Sequence, residues 1–134
     1  MPNPDFASQW MEFARKDHEE AVLLRAHGFG PERIAIHLQQ MMEKTLKAVL
    51  ALEERSIPKT HDLVLLFQEL GESLEGKEKY SDSCIKLSQL YLPARYPMPI
   101  RWEVTGGEVD AMMADAEDLF RAVEQIISNE KGQS

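Results

Sequence analysis

Cysteine is almost missing from this chain. Cys84 stands alone, which excludes an internal disulfide framework and a Cys-rich zinc site and fits a reducing cytoplasm. Long apolar runs are missing too: none approaches the ~18 to 20 residues needed to span a bilayer, and none follows a basic leader. The expectation is a soluble cytoplasmic protein with no membrane contact. Positive charge is outweighed, with 15 Lys and Arg against 23 Asp and Glu and a formal net charge of -8. Strong, unaided binding to nucleic acid is disfavoured, because that affinity comes largely from basic side chains neutralising phosphates. A basic site would have to be a local pocket.

Several chemical signatures are absent as well. The four His residues are scattered, with no His pair at i, i+4 and no EF-hand loop, so no metal site is expected. Gly28 and Gly30 lack the GK[ST] ending of a phosphate loop, and Gly106 and Gly107 follow no strand. Ser and Cys nucleophile motifs are missing. No cofactor is expected.

What the chain does have is helical periodicity. Its 134 residues with 43% hydrophobic content suit one domain, residues 1–134, around a single core. Asn3 and Pro4 form a helix entry. The first helix then carries Phe6, Trp10, Phe13, Ala14, Ala21 and Leu24 on one stripe and ends near Gly28. Asp17 falls within that stripe, where an unpaired charge would cost several kcal/mol. It reads as a structural buried polar residue with a partner on another helix, rather than as a catalytic carboxylate.

A turn from Gly28 to Pro31 leads into a long second helix, so the first two helices form an αα-hairpin. Ile34, Leu38, Met41, Met42, Thr45, Leu46, Val49 and Leu52 make its core face, and His37, Gln40, Glu43, Lys44 and Lys47 a polar face. Glu43 and Lys47 have the spacing of a helical ion pair. Pro58 is expected to end this helix. Thr60 is expected to cap a third, running to Leu70, with His61 and Asp62 in its first turn and Gly71 at its end.

The segment Glu72 to Lys79 reads as a flexible loop. A fourth helix, about Lys77 to Leu92, offers Tyr80, Cys84, Leu87 and Tyr91 at core spacing, which makes Cys84 an inert buried thiol. Pro93, Pro97 and Pro99 then predict an extended connection bearing Arg95, Tyr96, Arg101 and Trp102. Its aromatics read as loop anchors, with stacking on a base or phosphate binding as the functional alternative. Thr105 and Glu108 have capping-box spacing before a last helix. That helix has a broad apolar face, Val109 to Ile127, wide enough for the core alone or for the core and a partner subunit. Its end, Lys131 to Ser134, is expected to fray. The sum is an all-α, up-and-down four-helix bundle with an additional short helix, five helices in all.

The polar groups near the second helix leave three roles open. His moving a proton and Arg stabilising charge would support phosphodiester cleavage. The same residues would also bind a nucleotide without cutting it, or simply hold the helices together.

The ordered set Trp10, Ala14, Asp17 and Ala21, then His37, Gln40, Glu43, Lys44, Leu46, Lys47 and Ala48, then Pro58 to Leu63, then Tyr91, Arg95, Tyr96 and Pro97 resembles the HEPN family (higher eukaryotes and prokaryotes nucleotide-binding domain), specifically its short stand-alone prokaryotic members. The resemblance spans nearly the whole chain. It implies a helical bundle, commonly a homodimer, often working with a minimal nucleotidyltransferase partner in a toxin-antitoxin type system. Some branches are metal-independent RNases that use an Arg and a His four to six residues apart. Arg55 and His61, with five residues between them, meet that spacing, but Pro58 lies between the two. The leading expectation is therefore a non-catalytic, dimeric bundle associated with nucleotide or RNA, with His37, Lys44, His61, Arg95 and Tyr96 as candidate phosphate ligands. The alternatives are an RNase toxin using Arg55 and His61 and a purely structural dimerisation module.

Overall fold

The computed structural model describes residues 2–99 and 103–132. Five α-helices run through them in the order α1 (Pro4–Ala26), α2 (Pro31–Leu52), α3 (Leu63–Glu69), α4 (Ser81–Leu90) and α5 (Gly106–Gly132), with a 3-10 turn, Lys77–Tyr80, leading into α4. No strand occurs among the described residues. The expected all-α bundle with one short helix is what forms, and α3 is the short one.

α2 is the axis of the bundle. The other four helices all pack against it, and its buried residues include Gln39, Glu43, Thr45 and Lys47 beside the apolar ones. Of the polar face expected from the sequence, His37, Gln40 and Lys44 stay partly exposed, whereas Glu43 and Lys47 are enclosed, 6% and 7% exposed. Polar groups enclosed in this way have to be satisfied internally. Thr45 does so by donating its hydroxyl to the Met41 carbonyl at 2.7 Å.

α1 begins as read from the sequence, with the Asn3 side chain accepting from Phe6 N at 3.2 Å. Its buried stripe, however, is rotated from the expected one. Ala7, Ala14 and Ala21 are fully enclosed with Met11 and Asp17, whereas Phe6 and Phe13 are 41% and 55% exposed. Small residues at a seven-residue repeat hold α1 against α2, and the size of the side chains at such a contact sets the separation of the helix axes. The larger aromatics go to the outside. Gly28, with φ of +74°, turns the chain, and Phe29 N donates to Leu24 O at 3.0 Å.

α2 stops at Leu52, six residues before Pro58. Glu54 takes a left-handed backbone at φ of +55°, and Arg55 N returns to Leu50 O at 2.9 Å. The helix thus ends on its own carbonyls rather than on proline, and Asn3 N donates to the last of them, Leu52 O, at 2.7 Å. α3 is capped by Asp62, whose Oδ1 accepts from Val64 N at 2.9 Å and Leu65 N at 3.3 Å. Thr60 acts one step earlier, accepting from Asp62 N at 3.1 Å. His61 consequently precedes the helix instead of lying in its first turn.

Between α3 and α4 the chain is not a loose loop, since Leu74 is buried and Lys77 Nζ donates to Phe67 O at 3.0 Å. After α4 the chain keeps turning as far as Tyr96, with Ala94 N bonding Leu90 O at 3.0 Å and Tyr96 N bonding Leu92 O at 2.9 Å, and only beyond it, at residues 97–99 and 103–105, is the expected connection without helix. Arg101 and Trp102 lie outside the described residues, as do the last two of the expected frayed end. Thr105 and Glu108 form the expected reciprocal capping box, each backbone N donating to the other's side chain at 3.1 Å. The apolar face of α5 from Val109 to Ile127 is taken up by the core. Large apolar side chains lie exposed instead on α1 and the turn after it, at Phe13, Leu23 and Phe29.

Candidate functional site

Because α2 is enclosed, its polar side chains meet residues from the start of α3 and from the turns after α4. Glu43 is the hub. Its Oε2 accepts from Lys47 Nζ at 3.1 Å, the helical pair expected from spacing. Its Oε1 accepts from Gln39 Nε2 at 3.1 Å and faces His61 Nδ1 at 2.9 Å. The Gln39 amide also donates to the His61 carbonyl at 2.9 Å, so both ends of that residue are held. A carboxylate at Nδ1 places the ring proton there and leaves Nε2 for an external partner. The imidazole itself is 63% exposed.

The turns after α4 bring up the second half. Arg95 Nη2 donates to Gln39 Oε1 at 3.0 Å and Nη1 to Tyr91 O at 2.9 Å. Its guanidinium carbon lies 3.9 Å from the Tyr91 ring centroid, and His61 stacks on the same ring at 5.1 Å with 15° between planes. Tyr91 is thus a platform for both a cation and an imidazole. Gln39, Gln40, Glu43, Lys44, His61, Tyr91 and Arg95 together line a recess of about 290 Å³. Guanidinium has five N–H donors and ammonium three, so Arg95 and Lys44 keep donors beyond those bound within the chain.

Asp17 has the cationic partner expected of it. Lys44 Nζ contacts its Oδ2 at 2.5 Å, joining α1 to α2, and the carboxylate is 6% exposed. His37 lies on this side and not in the recess: its Nδ1 is 2.8 Å from Glu20 Oε2 and 3.8 Å from Asp17 Oδ1. The short contact to Glu20 lacks hydrogen-bonding geometry, leaving the buried Nδ1 without a hydrogen-bond partner. Asp17, Glu20 and His37 offer ligand atoms within 4.8 Å of one another, a donor set compatible with a divalent cation that the His spacing alone did not suggest. The Lys44 ammonium already supplies positive charge at that carboxylate.

Of the expected phosphate ligands, the structure therefore brings Lys44, His61 and Arg95 together. His37 is turned toward α1, and Tyr96 is 60% exposed beyond the recess. Arg55 does not join His61. It is bound to Glu53 and Ser73 at 3.3 and 3.4 Å and to the carbonyl of Glu69, and it does not line the recess. Gln39 and Tyr91 escaped notice as site residues. The i, i+4 spacing of Gln39 with Glu43, and of Tyr91 with Arg95, was the available signal.

No curated protein gives a significant match to the chain. Among solved structures, TT1696 from Thermus thermophilus superposes with a TM-score of 0.77 at 22% identity, covering 89% of this chain and 96% of that one. ST0689, described as an archaeal HEPN homologue, gives 0.54 at 23% identity, covering 95% and 96%. At these identities the likeness shows the fold. The family model of the HEPN domain matches residues 7–128, most of the length of the chain and all five helices, and the chain belongs to the HEPN domain family.

Proposed function

We propose that this HEPN chain binds a phosphate group of a nucleotide or RNA in the recess lined by Gln40, Lys44, His61 and Arg95, and holds it without cleaving it. The observation that carries this reading is the stack of Arg95 and His61 on Tyr91, fixed from behind by Gln39 and Glu43. It sets a guanidinium and an imidazole edge at one opening in an otherwise acidic protein. Pre-fixed donors lose little freedom on binding an anion. Cleavage of a phosphodiester by proton transfer takes a base for the nucleophile and an acid for the leaving group. The recess holds one imidazole, and the lysine and arginine beside it are cations.

Titration with ATP, GTP and short RNA at low salt tests the reading. Saturable binding, weakened at least about tenfold by Arg95→Ala, is the expected result. No saturable binding overturns it and leaves a structural module.

One observation favours a second reading, metal-independent RNA cleavage. The Glu43 carboxylate orients His61 as an acid-base histidine is commonly oriented, and Arg95 now takes the place that spacing gave to Arg55. Incubating RNA without added metal, wild type against His61→Ala, decides it: equal activity, or none, removes this reading.

We further propose self-association and a nucleotidyltransferase-type partner, as membership of the HEPN family suggests. Sedimentation of the purified chain, and copurification with the product of an adjacent nucleotidyltransferase gene, test the two points separately. No helix among the described residues is long and apolar enough to cross a membrane.

A further inference from the structure

Asp17, Glu20 and His37 form a second polar cluster, outside the recess that holds Arg95 and His61. Asp17 and Glu20 stand three residues apart on α1 and so share one side of it, while His37 meets them from α2. Lys44 occupies Oδ2 of Asp17, and the other oxygen, Oδ1, faces His37 Nδ1 at 3.8 Å.

The contact between His37 and Glu20 points to an ion. Nδ1 is enclosed and has no hydrogen-bond partner, although Glu20 Oε2 stands only 2.8 Å away. A nitrogen and a carboxylate oxygen that close, with no proton aligned between them, set lone pairs against each other, and a buried polar atom left without a partner is costly. A protonated imidazole would answer the charge but not the alignment. A metal bonded to both atoms at about 2.1 Å lies off the line joining them, so the nitrogen should aim about 50° aside from an oxygen 2.8 Å away. A misaligned nitrogen at this distance therefore fits a bridge and not a hydrogen bond. The 3.8 Å to Asp17 Oδ1 exceeds the roughly 3.0 to 3.4 Å between neighbouring ligands of such an ion by a few tenths of an ångström, which a turn of the imidazole removes.

One imidazole with two carboxylates suits a dication of the zinc class better than Ca²⁺, which takes six to eight oxygens. We propose that Asp17, Glu20 and His37 bind a Zn²⁺-like ion that clasps α1 to α2, with its remaining positions filled by water. The site stands apart from the phosphate reading, because none of the three residues lines that recess.

Calorimetric titration of the full chain, freed of metal with EDTA and kept in phosphate-free buffer, with Zn²⁺, Co²⁺ and Ca²⁺ tests the proposal. One Zn²⁺ or Co²⁺ should bind per chain. His37→Gln and Glu20→Gln, both at partly exposed positions, should each weaken binding about tenfold or more, since even the outer partners of metal ligands are worth that much. His27→Ala, at the C-terminal cap of α1, should leave it unchanged. Zn²⁺ should raise the thermal midpoint of wild type and not that of His37→Gln, because an ion held only by the folded chain stabilises it. No saturable binding of Zn²⁺ or Co²⁺ overturns the site. Binding that neither substitution weakens marks an adventitious ion only, and overturns it as well. Weakening by Glu20→Gln but not by His37→Gln, or Ca²⁺ binding tighter than Zn²⁺, removes the imidazole from the ligand set and with it the proposal.

Discussion

Glu43 and His61 face each other at 2.9 Å across α2 and the start of α3, and the same carboxylate holds Lys47 at 3.1 Å. One buried anion therefore serves both a structural cation and the exposed imidazole of the candidate site.

Substituting Glu43→Gln removes the charge that Lys47 needs. Both side chains are 8% exposed, so the variant strands an ammonium in the core and should cost about 3 to 5 kcal/mol in urea unfolding. Adding Lys47→Met should return much of that loss. His61→Ala, at an exposed ring, should change stability by about 1 kcal/mol or less, which makes it the cleaner probe of binding.

Lys44 holds Asp17 and, in the proposed function, also binds phosphate, and a pair of substitutions separates the two. Lys44→Met leaves the buried Asp17 with His37 as its nearest remaining basic group, and should lower stability by about 3 kcal/mol, at the low end for a broken buried pair because the lysine is partly exposed. Combining it with Asp17→Asn should restore stability without restoring phosphate binding. Recovery of both would show that Lys44 acts on the ligand only through the fold.

The alanine repeat of α1 predicts intolerance to size. Ala14 is fully enclosed between helices, and Ala14→Leu should cost about 1 to 3 kcal/mol through overpacking. Phe13→Ala, one residue away and 55% exposed, should have a far smaller effect on the stability of the isolated chain. Thermal unfolding of the two variants makes the comparison.

Cys84 predicts an alkaline limit. Burial, and secondarily the Asp115 carboxylate, push its thiol up to about 12. Burial and the Asp118 carboxylate likewise push the Tyr80 phenol upward. The folded state thus keeps protons that the unfolded chain releases from about pH 8.5 for a thiol. This contribution is complete below that point and is lost as pH rises toward 12, by up to about 1.4 kcal/mol per pH unit for the thiol. Cys84→Ala should flatten the fall in urea midpoint over that window. In the native wild type, iodoacetamide should label Cys84 only at the rate of unfolding.

Much of this architecture was legible in the residues. Asn3, Gly28, Gly71 and the Thr105 and Glu108 box marked helix boundaries that the structure keeps, because each acts through its own backbone neighbours. The boundary assigned to Pro58 moved, since α2 ended earlier on a left-handed Glu54, a conformation that no residue type there announced. The stripe on α1 also rotated. Periodicity finds that a face is apolar, but both the alanine and the aromatic edges of α1 qualified, and contact with α2 selected the smaller side chains.

The sequence by itself determined the helices, the partner required by the buried Asp17, the buried Cys84 and the family, because propensity, capping and charge burial are local or depend only on the kind of surroundings. Only the tertiary structure decided which residues meet at the candidate site. Arg55 and His61 are near in sequence but bind separate partners, while His61 and Arg95, far apart in sequence, meet on Tyr91. Convergence of side chains depends on where helix packing places each backbone, and α2, against which the other four helices pack, is the element that brings Gln39 and Glu43 to fix them.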